Sequence, residues 1–275
     1  RFEFRHIPDI DVMHAHDPLF CSEYAKEIYF NWRKKESKLE PFAGYLDFQS
    51  NINEKMRLVL LNWLVDVHQK FRMDTETLYL TINVIDRFLG KKAVKRQKLQ
   101  LVGISAMLIA SKYQDMHAPR VHDFVNITDN AYCADDVVRM EALILDAISF
   151  DLTVPSPLCF VMRFLRAANA DCRQSNLSNY CLEVAMLNYS MLKYSPSLMA
   201  ASAVYLGQYL DGKHEIWTEA LQYYTEYSFE DICQCVNQMK HTLRLDQSNT
   251  NQKLTALKRK YSHSKYLKVA ESIFN

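Results

Sequence analysis

Two stretches of this chain, Leu101 to Ser111 and Ser197 to Leu210, carry no charged residue, although Asp, Glu, Lys and Arg make up 24% of the whole. A helix with one face in solvent shows a polar stripe, so each stretch reads as a helix enclosed by other helices. They lie about a hundred residues apart, and aligning them places Ser105-Ala106-Met107-Leu108-Ile109-Ala110 over Ser202-Ala203-Val204-Tyr205-Leu206-Gly207. Small residues face small ones and large apolar residues face large ones. A duplicated helical unit is therefore predicted. Five glycines in 275 residues are far below the usual ~7%, which leaves little material for hairpins or phosphate loops. The seven prolines (Pro8, Pro18, Pro41, Pro119, Pro155, Pro157, Pro196) all fall at the edges of helical patterns, where proline punctuates without breaking a helix. The predicted fold class is all-α.

A formal net charge of +1 argues against a purely electrostatic nucleic-acid binder, which needs a marked basic surplus. A protein partner is the better expectation. The seven cysteines (Cys21, Cys133, Cys159, Cys172, Cys181, Cys233, Cys235) lack paired C-x-x-C spacing and are predicted to be reduced and mostly buried, with nucleus and cytoplasm as the setting. No stretch is long and apolar enough for a membrane span. Residue 1 is an arginine, and a preceding leader is expected.

Asp17-Pro18 predicts an N-cap and first helical position, opening a helix to about Lys35 with Phe20, Tyr24, Ile28 and Trp32 on one stripe. Further helices are predicted from Asn53 to Phe71, Asp74 to about Leu89, Lys95 to Asp115, Pro119 to Val125 and Ala134 to Phe150. Val154-Pro155-Ser156-Pro157 marks a boundary. Helices then begin near Pro157, Gln174, Pro196, Trp217 and Ser228, the last running to about Leu245. The organisation is thus an N-terminal helix and linker (1–52), a first five-helix domain (53–153), a second (154–247) and a basic tail (248–275) that reads as a solvated cationic face.

The segment Met56 to Val67 has two apolar faces. Met56, Val59, Leu60, Trp63 and Val67 share one stripe, and Leu58, Leu61 and Val65 lie opposite. One face suits a core; the other must be covered or stay open for docking. Arg57, squeezed between the stripes, needs a carboxylate partner, and Asp86 within Val84-Ile85-Asp86-Arg87-Phe88-Leu89 is a candidate.

Met56-Arg57-x-x-Leu60-x-x-Trp63-Leu64-x-x-Val67, Glu76-Thr77-Leu78-Tyr79-Leu80, Ile85-Asp86-Arg87-Phe88, Lys98-Leu99-Gln100-Leu101-Val102-Gly103 and Ala110-Ser111-Lys112-Tyr113 resemble the cyclin box. Tyr223-Tyr224 and Lys260-Tyr261-Ser262 resemble the C-terminal cyclin fold, so the resemblance covers about 250 residues. It is strongest to the mitotic A- and B-type group, with Ser22-Glu23-Tyr24-Ala25 leaning towards B-type.

The resemblance implies two tandem cyclin-box domains and a non-catalytic activator of a cyclin-dependent kinase acting in cell-cycle progression at G2/M. Five box-marking positions correspond to Arg57, Asp86, Leu101, Lys112 and Glu141. Arg57 and Asp86 would form an internal ion pair. Lys112 and Glu141 would bind the backbone around the kinase αC helix, above an apolar bed of Leu108, Ile109, Tyr113, Phe150 and Leu152, with Tyr24 as a further kinase contact. Met56, Val59, Leu60 and Trp63, bordered by Asp66, Arg96, Gln100 and Ile127, would form a groove for substrate or inhibitor motifs carrying arginine and leucine. No cofactor or metal is implied.

Three departures from the family pattern stand out: Gln114 where an acid is usual, Arg120 in place of an acid, and Asn62 in place of an aspartate beside the groove. The first two put contacts to a kinase activation segment in doubt. His14-x-His16 and Cys233-x-Cys235 are poor metal sites, the cysteines because positions i and i+2 of a helix point apart. A transcription-type cyclin-fold protein and a helical scaffold without a kinase partner are the alternatives, disfavoured by Lys112 and Glu141 occurring together.

Overall fold

The computed structural model describes residues 7–38, 41, 43–248 and 255–273, which contain helices and no strand. Helix α1 (Ala25–Glu36) precedes a first unit of five: α2 (Glu54–Phe71), α3 (Thr75–Leu89), α4 (Leu99–Gln114), α5 (Val121–Ile127) and α6 (Ala134–Ala147). A second five follow: α7 (Pro157–Ala167), α8 (Cys172–Leu187), α9 (Pro196–Leu210), α10 (Glu219–Thr225) and α11 (Phe229–Ser248). A short α12 (Ala256–Tyr261) ends the series.

The uncharged stretches form the two central helices. Every residue from Leu101 to Ser111 in α4 is buried, enclosed by α2, α3, α5 and α6. In α9, Met199 to Val204 and Leu206 to Gln208 are buried between α7, α8 and α11. The enclosure of α9 is less complete, because Tyr209 is exposed. Several helix starts follow the expected capping chemistry. Asn53 Oδ1 accepts from Met56 N–H at 3.0 Å, Asp171 Oδ1 from Gln174 N–H at 2.8 Å, and Ser195 Oγ from Leu198 N–H, each worth roughly 1 kcal/mol.

Other boundaries differ from expectation. Asp17 does cap, accepting from Leu19 N–H, but the chain makes only a 3-10 turn there. Cys21 then takes a left-handed conformation (φ 46°), which a continuous right-handed helix cannot contain, and α1 starts four residues later. The supposed stripe is therefore split, leaving Tyr24 exposed. Asp74 starts α3 without a side-chain cap; its own N–H donates to Asp115 Oδ1 at 2.7 Å. Helix α6 stops at Ala147 because Ser149 and Phe150 are both left-handed. Ser149 N–H donates to Asp146 and Phe150 N–H to Leu145, a Schellman ending that satisfies the last carbonyls. The cysteines are free, but only Cys181 and Cys235 are buried, and Cys21, Cys133 and Cys172 are exposed.

The segments flanking the two units cross over. The N-terminal segment packs on the second unit: Tyr29 O–H donates to the Cys159 carbonyl at 3.0 Å, Ser197 N–H to Glu36 at 2.9 Å, and buried Arg163 forks onto Asp11 at 2.6 and 2.7 Å. Helix α12 packs across α2 and α8. Buried Lys260 meets both Glu183 oxygens at 2.7 Å, and Tyr261 O–H donates to the same carboxylate. The tail is thus a solvated cationic face only in part: Arg259, His263, Lys265 and Lys268 are exposed, whereas Lys260 is buried. Its core residues, Ala256, Leu257, Lys260 and Tyr261, bury an apolar stripe and a compensated charge.

Candidate functional site

Helix α4 leaves the core at its C-terminal end. Up to Ser111 it is buried; Lys112, Tyr113 and Gln114 are exposed. Helix α6 buries Val137 and Ile144 and so turns Glu141, one turn from each, towards the emerging lysine. Lys112 Nζ lies 2.8 and 3.0 Å from the Glu141 oxygens. The lysine side chain is 49% accessible and the glutamate 14%, so the pair is open to solvent from the ammonium side. An ammonium has three donors, and Glu141 engages two N–H···O contacts, leaving capacity for an incoming carbonyl.

Exposed apolar groups surround this pair. Tyr113 is half exposed, its hydroxyl 2.7 Å from Thr153 Oγ1. Val138 stands one turn before Glu141 and is also half exposed. Phe150 is 68% accessible on left-handed backbone (φ 57°), an unfavourable combination for a bulky residue. The α6 ending holds it there. Leu152 is half-buried against the core.

A second surface runs along α2. Leu60, Leu61, Leu64, Val65 and Val67 are buried, whereas Val59 is 50% accessible and Met56 and Trp63 are half-buried. On the opposite side Leu61 and Val65 are buried and Leu58 is half-buried, with Val65 and Leu257 of α12 around one small void. The Met56, Val59 and Trp63 side stays partly open. Helix α4 approaches closely beneath it, since a Cβ on Gly103 would sit 2.8 Å from Leu60 Cδ1. Gln100 and Ile127 flank the surface half-buried, and Arg96 is exposed in the turn before α4.

Arg57 lies under that surface with no accessible area. Its guanidinium forks onto Asp86, Nε to Oδ1 and Nη2 to Oδ2, both at 2.7 Å. Nη1 donates to the Leu187 carbonyl of the second unit at 2.7 Å. Tyr45 O–H donates to Asp86 Oδ1 at 2.6 Å; burial, with the Asp86 carboxylate beside it, pushes the Tyr45 phenol far above its ordinary pKa. The buried charge is therefore fully hydrogen-bonded, as burial demands.

The cyclin N-terminal domain profile matches residues 27–153, and the cyclin C-terminal domain profile matches residues 155–274. The chain belongs to the cyclin family. Among curated relatives, cyclin-B2-2 of Oryza sativa subsp. indica is 41% identical over 265 residues, covering 96% of this chain and 62% of the relative. The G2/mitotic-specific cyclin-B of Arbacia punctulata is 41% identical over 267 residues, covering 96% of this chain and 65% of the relative. Cyclin-A1-4 of Oryza sativa subsp. japonica is 40% identical over 277 residues, covering 98% and 76%. The A- and B-type resemblance is the one found. This cyclin spans about 60% of the length of the first of these relatives. Among solved structures, a viral cyclin from herpesvirus saimiri superposes with a TM-score of 0.68 at 20% identity, covering 77% of this chain and 96% of that one, a likeness of fold.

In this cyclin Leu108 and Ile109 are core residues, 0% and 3% accessible. They support the Lys112 face from beneath and offer no surface for a partner, a correction to their expected role as contact residues. The accessible apolar groups there are Tyr113, Val138 and Phe150. Lys112 itself is half exposed, so the pair is no buried ion pair in the free cyclin. Tyr24 stands exposed before α1, on the segment packed against the second unit. The tail supplied what the sequence did not announce: Arg259 Nη2 lies 2.6 and 2.7 Å from the two Asp66 oxygens, and Asn62 Oδ1 accepts from Ala256 N–H at 3.1 Å. Arg259 lies in a run of basic residues, and only the long-range fold tells which of them has a carboxylate partner. The His14 side chain lies outside the described residues. Cys235 is buried and Cys233 half-buried, on different faces of α11.

Proposed function

We propose that this cyclin is a non-catalytic regulatory subunit that binds a cyclin-dependent serine/threonine kinase and activates it by fixing its αC helix. The observation that carries this is the Lys112–Glu141 pair, open to solvent where α4 leaves the core after the buried run Leu101 to Ser111, with exposed Tyr113 beside Lys112, Val138 one turn before Glu141 and Phe150 past the end of α6. A half-open ammonium–carboxylate pair can donate to a backbone carbonyl and accept from a backbone N–H. The surrounding apolar groups are of the kind that receives an amphipathic helix.

Kinase chemistry needs the αC glutamate paired with the lysine that holds ATP phosphates. A rigid partner that binds the αC-in arrangement shifts the kinase population by its differential affinity for that state. Rigidity is supplied by the enclosed α4 and by the hydrogen-bonded α6 ending that presents Phe150. No residue of this chain needs to touch ATP. The name of the G2/mitotic-specific cyclin-B of Arbacia punctulata supports action at G2/M; nucleus and cytoplasm remain the proposed setting. The partly open α2 surface of Met56, Val59 and Trp63 fits the docking of short substrate or inhibitor segments.

Purified cyclin with Lys112→Ala, Glu141→Ala and the double change, mixed with candidate cyclin-dependent kinases, tests the kinase interface. Because the pair opens to solvent on its lysine side, 49% accessible against 14% for the glutamate, each variant keeps the wild-type melting temperature within ~3 °C. Kinase capture and histone-type phosphorylation fall at least tenfold. Full activation by the double variant would refute the assignment.

A further inference from the structure

The acid at the edge of the α2 surface is already occupied. Val59, Trp63 and Asp66 follow at i, i+4 and i+7 on α2, so Asp66 adjoins the half-open apolar stripe. Its two oxygens both receive Arg259 Nη2, at 2.6 and 2.7 Å. Arg259 Nη1 donates in addition to Thr255 Oγ1 at 2.8 Å, which restricts the guanidinium.

Neighbouring groups hold this arginine in place. One residue on, Lys260 is buried against Glu183, with Tyr261 on the same carboxylate. Three residues earlier, Ala256 N–H donates to Asn62 Oδ1, one turn before Asp66 on α2. Helix α12 therefore meets α2 at two points spaced by about a turn on each helix. The polar side chain of Asn62 accepts a backbone N–H without bringing a second negative charge to the rim.

We propose that Arg259 sets the specificity of the α2 surface: as an internal guanidinium it satisfies Asp66, so a docking segment is selected by its apolar side chains and gains nothing from an arginine. This rests on the α2 surface being a docking site. An arginine brought by a peptide must compete with one that is tethered in place, whose effective concentration is of order millimolar or more. A peptide arginine at micromolar concentration therefore meets a carboxylate that is 43% accessible but whose charge is already paired, and it gains little by adding to it. The occupant that fits is a short segment with leucine-type anchors over Met56, Val59 and Trp63.

The test uses the full chain and two synthetic peptides, one with an arginine and a leucine at docking spacing and one with that arginine replaced by alanine, read by fluorescence anisotropy. The wild type binds the two within about twofold. Arg259→Ala frees Asp66 and strengthens the arginine peptide by about fivefold, the scale of one exposed ion pair, while the alanine peptide is unchanged. Adding Asp66→Asn to Arg259→Ala abolishes the gain. Arg259→Gln, which keeps much of the packing, repeats the result, and melting curves report whether α12 stays docked. A wild type that prefers the arginine peptide fivefold, with no change in Arg259→Ala, overturns the proposal. Equal strengthening of both peptides also overturns it, since the tail would then act by bulk. Failure of both peptides to bind either protein, or binding insensitive to Trp63→Ala, overturns the docking site itself, a result distinguishable from failure of the Arg259 role alone.

Discussion

Replacing Arg57 by alanine deletes the largest of the fully buried side chains and strands the charge it compensates. Asp86 keeps one partner, the Tyr45 hydroxyl at 2.6 Å, and loses two guanidinium contacts at 2.7 Å. The carbonyl of Leu187 loses its 2.7 Å donor. Breaking a buried pair in this way costs about 3 to 5 kcal/mol, a large share of the roughly 5 to 15 kcal/mol that holds a folded domain. At ~2 to 4 °C per kcal/mol for a chain of about this size, Tm falls by about 6 to 20 °C, measured by far-UV circular dichroism. Arg57→Met with Asp86→Leu separates charge from packing, because it removes both charges together. The double variant still leaves the Leu187 carbonyl and Tyr45 hydroxyl without partners; at the low end of the usual cost, about 1 kcal/mol each, that is about 2 kcal/mol in all, so the double variant recovers about half of the loss. A single variant costing less than about 1 kcal/mol, or a double variant as damaged as the single, would refute the account of a compensated buried charge.

Two further outcomes follow from the packing and the titration of the core. Gly207→Ala drives a Cβ into Ser178 Oγ and places it 2.7 Å from the Ser178 backbone nitrogen, whereas Gly103→Ala meets side-chain atoms, Leu60 Cδ1 at 2.8 Å and its Cγ and Cδ2 at 3.3 Å. Overpacking costs about 1 to 3 kcal/mol, so Gly207→Ala unfolds at lower urea than Gly103→Ala, and the reverse order would contradict the helix contacts described. His68 is buried beside the docked tail, its Nε2 2.9 Å from the Asp74 carbonyl, and burial holds its pKa below the usual histidine range. The unfolded chain then binds more protons than the folded one. The resulting stability is fully present above the unfolded pKa of ~6.5 and is lost as pH falls towards the folded value. His68→Gln flattens the dependence of urea midpoint on pH below about 6.5; an unchanged slope would exclude His68 as its source.

The central helices were legible because absence of charge over three or four turns has one common physical cause, enclosure. Asn53 and Ser195 were legible because capping is local chemistry. The break at Cys21 was not, since no glycine or proline marks it and the left-handed residue is held by surrounding contacts. Leu108 and Ile109 look like any apolar pair; whether they face a partner or the core depends on α2, α3 and α6, which periodicity does not place. Lys112 and Glu141, 29 residues apart, were paired by resemblance to the family, and nothing in their local sequence announces the contact. Lys260 in the tail departs from expectation for the same reason in reverse, while Arg259, His263, Lys265 and Lys268 do face solvent. A run of Lys and Arg ordinarily faces water, and only Glu183, 77 residues before Lys260 in the chain, makes burial tolerable.

The crossing of α12 over α2 has a consequence for biosynthesis. Asp66 and Asn62 find their partners 193 and 194 residues later in the chain, and at 5 to 20 residues per second that interval is about 10 to 40 seconds of translation. Throughout it the first unit exists without its final covering helix, while Pro8 and Ile10 await Tyr224. The duplicated halves are therefore not beads that finish in turn on the ribosome. Each is closed by a segment distant in the described chain, so the half-made molecule exposes apolar α2 surface to chaperones and proteases until α12 has been made.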